Sequence, residues 1–208
     1  MLQIKTVEPN TLAVLKQLMQ IPELQQFSLV GGTALALKYG HRISIDLDLF
    51  SEQPFDFSIV LKALESEFDQ NFLLDTAKAN FGIFCFIKDI KVDFVKHPFK
   101  LLRPIEIEDN IRLYSSPDIA AMKINAILGR GKKKDFGDLI ELLQYYSLKE
   151  IINFYADKFP EQRLAIGIHK AVTYFTDAED SEDPVSLKGQ TWQQVKKDIQ
   201  KKVSDYLK

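Results

Sequence analysis

Six residues, Ile45-Asp46-Leu47-Asp48-Leu49-Phe50, constrain this chain more than any other stretch. Alternating apolar and acidic side chains mark a β-strand, and in a strand residues two apart share a face. Asp46 and Asp48 are therefore expected side by side, roughly 7 Å apart along the strand. Ile45, Leu47 and Leu49 are expected to face the other way, into a core. Two carboxylates on one face repel each other, and partial burial raises the cost further. A divalent cation removes that cost. Magnesium prefers carboxylate oxygens and keeps coordination positions open for phosphates.

Two further stretches fit the same site. Ile90-Lys91-Val92-Asp93-Phe94-Val95 reads as a second strand with one acid in an apolar frame. If it pairs beside the first, Asp93 joins Asp46 and Asp48. Three carboxylates can hold two magnesium ions, the arrangement that clamps attacking and leaving oxygens in phosphoryl chemistry. Upstream, Val30-Gly31-Gly32-Thr33 lies where a strand gives way to a helix. Glycines let the backbone approach a phosphate, and a helix N-terminus offers unpaired N–H groups to an anion. A nucleoside triphosphate would fit between this turn and the metals. Arg42 and Ser44 precede the acids on the same stretch and are candidate nucleotide contacts, although Arg42 could equally pair with an acid.

The 208 residues suffice for one good-sized domain or two small ones. The formal net charge of -2 gives no global basic footprint of a nucleic-acid binder. Cys85 is the only cysteine, which excludes a disulfide framework and a cysteine-based zinc site. The N-terminus has no apolar signal core and no 18-residue apolar run occurs, so a cytoplasmic protein with no membrane partner is expected.

The first half mixes helix and strand. Helices are expected over 11–19 (capped by Asn10), over Thr33–Tyr39 (ending at Gly40) and over Ser58–Phe68. Strands are expected at Phe27–Val30, Ile45–Phe50, Leu73–Ala77, Phe81–Ile87 and Ile90–Val95, the last two joined by a Lys88-Asp89 hairpin turn. The second half reads as helical. Ser116-Pro117-Asp118 opens a helix to about Leu128, and a second runs from Lys133 to near Tyr145. Ser147 caps a third, a fourth follows Pro160, and Thr191 caps a last one. The acidic run Thr176–Pro184 reads as a solvated loop. The expected class is α/β (α+β): a mixed sheet with helices over 1–115, then a helical bundle over 116–208 that completes the site.

Gly31-Gly32-Thr33-Ala34-Leu35-Ala36-Leu37 followed by Arg42-Ile43-Ser44-Ile45-Asp46-Leu47-Asp48-Leu49-Phe50 resembles the AbiEii-type abortive-infection toxins, within the DNA polymerase β-like nucleotidyltransferase superfamily. That superfamily combines a Gly-Gly or Gly-Ser turn, an Asp-x-Asp pair and a third acid on a later strand. The toxin family adds a helical lysine, a basic residue and Arg-Asp-x-x-Asp-Leu. Here Lys123, Arg130 and Lys134-Asp135-Phe136-Gly137-Asp138-Leu139 occupy that pattern, with lysine in place of the arginine. The resemblance implies that Asp46, Asp48 and Asp93 bind the metals, Asp93 also helping to deprotonate an attacking hydroxyl. It implies that Gly31, Gly32 and Thr33 hold the triphosphate and that Lys123 contacts its phosphates. Asp135 and Asp138 would orient Lys123 or position the acceptor.

The function this implies is transfer of a nucleoside monophosphate to an acceptor hydroxyl by a toxin of a toxin–antitoxin or phage-defence system. RNA such as tRNA is the expected acceptor, and an antitoxin protein a possible partner. A protein or small-molecule acceptor, or a non-catalytic nucleotide- or partner-binding module, are the alternatives. The Gly129–Lys134 link is basic and could touch RNA phosphate or the triphosphate. His41, His97 and His169 lack ligand spacing and read as structural or exposed, and Cys85 reads as core. Tyr145 and Tyr146 end a helix and read as packing residues, with stacking on a base as the alternative.

Overall fold

The computed structural model describes residues 1–75, 81–164 and 166–208. Its centre is a seven-stranded mixed sheet of β1 (Ser28–Val30), β2 (Leu47–Ser51), β3 (Phe72–Leu74), β4 (Gly82–Ile87), β5 (Ile90–Lys96), β6 (Glu106–Glu108) and β7 (Ile111–Leu113), in the order β3-β4-β5-β2-β1-β7-β6. β2 runs antiparallel to β1 and parallel to β5. That pairing sets Asp48 directly opposite Asp93, on neighbouring strands whose backbones lie about 4.8 Å apart. Lys88 and Asp89 both take positive φ, as a two-residue hairpin turn between β4 and β5 requires. Asp109 and Asn110 do the same between β6 and β7.

Eight α-helices among the described residues accompany the sheet: α1 (Pro9–Gln20), α2 (Gly31–Tyr39), α3 (Phe57–Phe68), α4 (Ser116–Gly129), α5 (Lys133–Leu142), α6 (Leu148–Lys158), α7 (Ile168–Ala171) and α8 (Trp192–Tyr206). α4 packs on α5, α6 and α2, and α8 packs on α5 and α6. One buried apolar cluster runs from Leu29, Leu47, Leu49 and Phe94 of the sheet to Ile119, Phe136, Leu139 and Ile151 of the later helices.

Several local expectations are corrected. α1 starts at Pro9 with Glu8 at the cap position, so Asn10 lies inside the helix; proline at the first turn costs no hydrogen bond. β2 starts at Leu47, which leaves Ile45 55% exposed rather than in the core and places Asp46 ahead of the strand. Ser115, not Ser116, caps α4: its Oγ accepts the Asp118 N–H at 3.2 Å. Between Pro160 and the cap of α8 the described residues form the four-residue α7 and a 3-10 turn at Thr176–Ala178, and α5 stops at Leu142 rather than near Tyr145. The strand expected over Leu73–Ala77 ends at Leu74, with Thr76 and Ala77 outside the described residues. β6 and β7 were not anticipated. They are three-residue strands around Asp109-Asn110, and β7 adds in parallel beside β1. The Ser147 and Thr191 caps, the Gly40 helix end and the β4–β5 hairpin are as expected.

A buried ion pair ties α4 to α6, and its two members also bond to backbone of the preceding residues 100–103. Lys158 Nζ lies 2.8 Å from Asp118 Oδ1, and both side chains are 0% exposed. Asp118 also accepts the backbone N–H groups of Leu102 (2.9 Å) and Arg103 (3.2 Å), and the Ser115 hydroxyl at 2.6 Å. Removing one member of such a pair leaves the other charge buried and uncompensated, at about 3–5 kcal/mol. Lys158→Met is therefore expected to lower unfolding stability in urea by about that amount. A loss under about 1 kcal/mol would show that the pair does not hold these segments together.

Candidate functional site

The acids sit where β1, β2 and β5 run side by side. Asp48 lies between Val30 of β1 and Asp93 of β5. Its carboxyl is raised above the ordinary range, chiefly by burial and also by the charge of Asp93, while Lys91 pulls the other way. Asp93 is buried, and its Oδ2 contacts the Lys91 ammonium. Its Oδ1 is buried with no partner among the described residues. Burial opposes the charge on Lys91, but Asp93, Asp48 and Asp46 outweigh it and raise its pKa.

Asp46 points elsewhere. Its Oδ2 lies 3.3 Å from Lys134 Nζ. Among the described residues no three His, Cys, Asp or Glu side chains converge as a metal-holding group. The physical reason is electrostatic: close carboxylates repel, and Asp93 and Asp46 instead take lysines. A divalent cation still fits the donors present. Asp48 and Asp93 face one another across paired strands, Asp48 is strained by burial, and Asp93 Oδ1 is an oxygen without a partner.

The glycine turn is shaped by these side chains. Gly31 has φ of +70°, and a Cβ there would lie 2.6 Å from Asp48 Oδ2. A Cβ on Gly32 would lie 1.8 Å from Arg42 Nη2. Gly32 thus makes room for the Arg42 guanidinium, which donates to Asp138 from Nε (2.7 Å) and Nη2 (3.1 Å). The Thr33 hydroxyl is buried and meets Ser44 Oγ at 2.8 Å and the Asp46 carbonyl. Thr33 and Ser44 therefore hold the loop that carries Asp46.

Lys123, from α4, faces two acids of α5. Its Nζ lies 2.6 Å from Asp138 Oδ2 and 3.0 Å from Asp135 Oδ1. Burial opposes ionisation of Lys123, but Asp138 and Asp135 outweigh it and raise its pKa. Burial likewise opposes the charge on Asp138, yet Lys123 and Arg42 hold its carboxyl well below the usual range. His41, read from sequence as structural or exposed, is buried and meets Asp138 Oδ1 at 2.7 Å. Asp135 is also lowered, by Lys123 and Arg130 acting against burial. Arg130 lies 3.3 Å from Asp135 with its side chain 57% exposed. The network carries three cationic side chains against two carboxylates, so it presents net positive charge opposite Asp48 and Asp93.

A cavity of about 450 Å³ joins these groups. Gly31, Asp48, Asp93, Lys123 and Arg130 line its charged end. Phe50, Phe84, His97, Ile119 and Phe159 are among the residues that line the remainder. Pockets of this size, largely apolar with a few converging charges, suit small-molecule ligands. His97 and Asn125 also line the cavity, and Lys91 lies against Asp93 at its edge. Lys91 and His97 share strand parity with Asp93, a signal readable once Asp93 is placed on β5. Thr33, Arg42, Ser44, Asp135 and Asp138 lie behind the residues that line the cavity, and Asp46 lies beside it on Lys134.

Three comparisons bear on this arrangement. The family described as "Nucleotidyl transferase AbiEii toxin, Type IV TA system" matches residues 13–206. The uncharacterized protein aq_aa25 of Aquifex aeolicus is 31% identical over 201 residues, covering 93% of this chain and 94% of that one. JHP933 from Helicobacter pylori has a similar fold, with a TM-score of 0.56 at 18% identity over 95% of this chain and 92% of its own. MenT4, a nucleotidyltransferase toxin of Mycobacterium tuberculosis, gives a TM-score of 0.54 at 15% identity, over 93% of this chain and 82% of its own. At these identities the two structures speak to fold alone.

The raised carboxyl of Asp48 has a measurable consequence. Between its ordinary and its raised pKa the folded chain keeps a proton that the unfolded chain has lost. Stability therefore falls as pH rises through that window. Asp48→Asn is expected to raise the denaturation midpoint of the ligand-free protein at neutral pH and to flatten its dependence across the acidic range. A midpoint below the parent's at pH 7 would contradict this assignment. Gly32→Ala is expected to act oppositely, costing about 3 kcal/mol by forcing Arg42 off buried Asp138. Gly129→Ala, where an added Cβ meets nothing within 4 Å, should change stability by no more than about 0.5 kcal/mol. Equal losses in the two variants would contradict the role given to Gly32.

Proposed function

The chain belongs to the AbiEii nucleotidyl transferase toxin family of type IV toxin–antitoxin systems, and on that premise we propose that its cavity binds a nucleoside triphosphate and magnesium and passes the nucleoside monophosphate to an RNA hydroxyl. The observation that carries this reading is the register of Asp48 with Asp93 facing Lys123 and Arg130 across one cavity. Carboxylates for cations on one wall and cations for phosphates on the other are what a metal-bound triphosphate requires.

In this reading Asp48 and Asp93 would hold magnesium, and Asp46, if freed from Lys134, would supply a third carboxylate. The metal supplies Lewis-acid polarisation of the α-phosphate and offsets the charge of the pyrophosphate leaving group. Lys123 spends two of its three donors on Asp135 and Asp138 and keeps one for phosphate. Arg130, more than half exposed at the cavity, neutralises the β- and γ-phosphates. Gly31 leaves the backbone open to phosphate beside Asp48, while Gly32, Arg42 and Asp138 fix Lys123 in place. Thr33 and Ser44 position the Asp46 loop. The acceptor oxygen bonds to the α-phosphorus as the α–β anhydride bond breaks, and the acceptor's proton passes to the carboxylate oxygen of Asp93 that does not hold the metal.

The acceptor is assigned to RNA, with a tRNA 3′ end as the first candidate, because Arg130 and Lys134 stand partly exposed at this site and suit a polyanion. A cognate antitoxin protein is the partner the family suggests. No helix among the described residues is long and apolar enough to cross a membrane, and the reading places the protein in the cytoplasm. The division into a 1–115 catalytic core and a 116–208 helical part that completes the site belongs to this proposal, since Lys123 and Arg130 come from the later part.

Label transfer tests the reading. With magnesium, each α-labelled nucleoside triphosphate and total tRNA, label should move into RNA, at a rate at least about 100-fold lower in Asp48→Asn and in Lys123→Met. Label entering protein or a small molecule would redirect the acceptor. Transfer that persists unchanged in Asp48→Asn would overturn the site.

A further inference from the structure

We propose that the aromatic end of the cavity seats the nucleobase of the triphosphate and that His97 is the residue that discriminates among bases. The inference rests on the nucleotide reading above and deepens it.

The sheet lays the two ends out in rows. Asp48 of β2, Asp93 of β5 and Phe84 of β4 are in register, and two residues on Phe50, Val95 and Gly82 form the next row. Residues two apart share a face, so the acids lead directly into Phe50 and Val95. His97 follows with the same parity, its backbone N–H bonded to the Ser51 carbonyl at 2.8 Å. Four residues of extended chain separate Asp93 from His97, roughly 13 Å, a span of the order of ribose plus base. All these side chains except Gly82 line the one cavity, and Ile119, Met122 and Phe159 close it over them. A phosphate-bearing ligand anchored at the acids therefore has one apolar compartment into which its uncharged part can pass.

His97 is the anomaly in that compartment. Its ring is held by aromatics, with centroids 5.5 Å from Phe50, 4.8 Å from Phe99 and 6.1 Å from Phe159. Its Nδ1 is buried with no hydrogen-bond partner among the described residues. A phenylalanine would pack there without that cost, since a polar atom buried without a partner is destabilising. Burial, helped by nearby Lys158, lowers its pKa to about 4, so the imidazole is neutral at physiological pH. A neutral imidazole carries one donor and one acceptor, the pair of functions that base edges differ in. Flanking rings supply stacking, which tolerates any base. A hydrogen-bonding group is what separates one base from another.

The test is a binding series with manganese in place of magnesium, using the four nucleoside triphosphates and inorganic tripolyphosphate as probes. For the parent protein, the best triphosphate should bind at least about tenfold more tightly than the worst, and more tightly than tripolyphosphate. His97→Phe should narrow the spread among the four to about twofold while leaving tripolyphosphate affinity unchanged. His97→Asn, which keeps a hydrogen-bonding group, should retain part of the spread and guards against misfolding of the phenylalanine variant. A spread that survives in His97→Phe, or a parallel loss of tripolyphosphate binding, would overturn the inference. Tripolyphosphate bound by the parent with no discrimination among the four triphosphates would also overturn it, while leaving the phosphate site standing. A parent that binds none of the probes would overturn the nucleotide reading and this inference together.

Discussion

The ion network Arg42–Asp138–Lys123–Asp135 is the constraint on which the rest of the site depends. Arg42 follows the glycine turn and its helix, while Lys123 and the two acids come from α4 and α5, so the network joins residues 96 positions apart in sequence. Breaking a buried pair costs several kcal/mol because the surviving charge is stranded. The chain therefore holds α4 at a fixed height over the strands that carry Asp48 and Asp93. That height is what gives the cavity opposite charges on opposite walls. Gly32 belongs to the same device, since any side chain there would occupy the place of the Arg42 guanidinium.

The opposite wall is built against stability. Asp48 pays desolvation for its burial and stands opposite Asp93 in register. Lysines of different elements relieve the charge: Lys91 lies against Asp93 and Lys134 against Asp46. Such clustering of like charge is characteristic of sites whose cost is repaid by ligand. The cations that relieve it are local and partly exposed, so they can yield to a stronger one.

Much of this was legible in the residues themselves. Alternation through Ile45–Phe50 and Ile90–Val95 gave two strands carrying acids, although Asp46 lies ahead of its strand, and the structure pairs Asp48 with Asp93. The Gly-Gly turn pointed to part of the other half, while Lys123, Asp135 and Asp138 were marked only by the resemblance to the toxin family, since their burial and pairing are set by tertiary contact. What escaped was set by tertiary contact. β6 and β7 are too short for periodicity to show, and their addition beside β1 is a matter of packing. Asp46 could not be seen to leave its strand for Lys134, because that partner lies 88 residues away. His97 carries no motif; only its enclosure by Phe50, Phe99 and Phe159 marks it.

The central claim is that Asp48 and Asp93 hold the metal of a triphosphate whose phosphates meet Lys123 and Arg130. The most direct measurement is a crystal structure grown with manganese and a non-transferable triphosphate analogue, read by anomalous scattering. The account predicts a manganese peak bridging Asp48 and Asp93, with Lys91 displaced from Asp93 and the triphosphate beside Gly31 and Lys123. A triphosphate bound elsewhere on the molecule, or manganese absent from these two carboxylates, would contradict it.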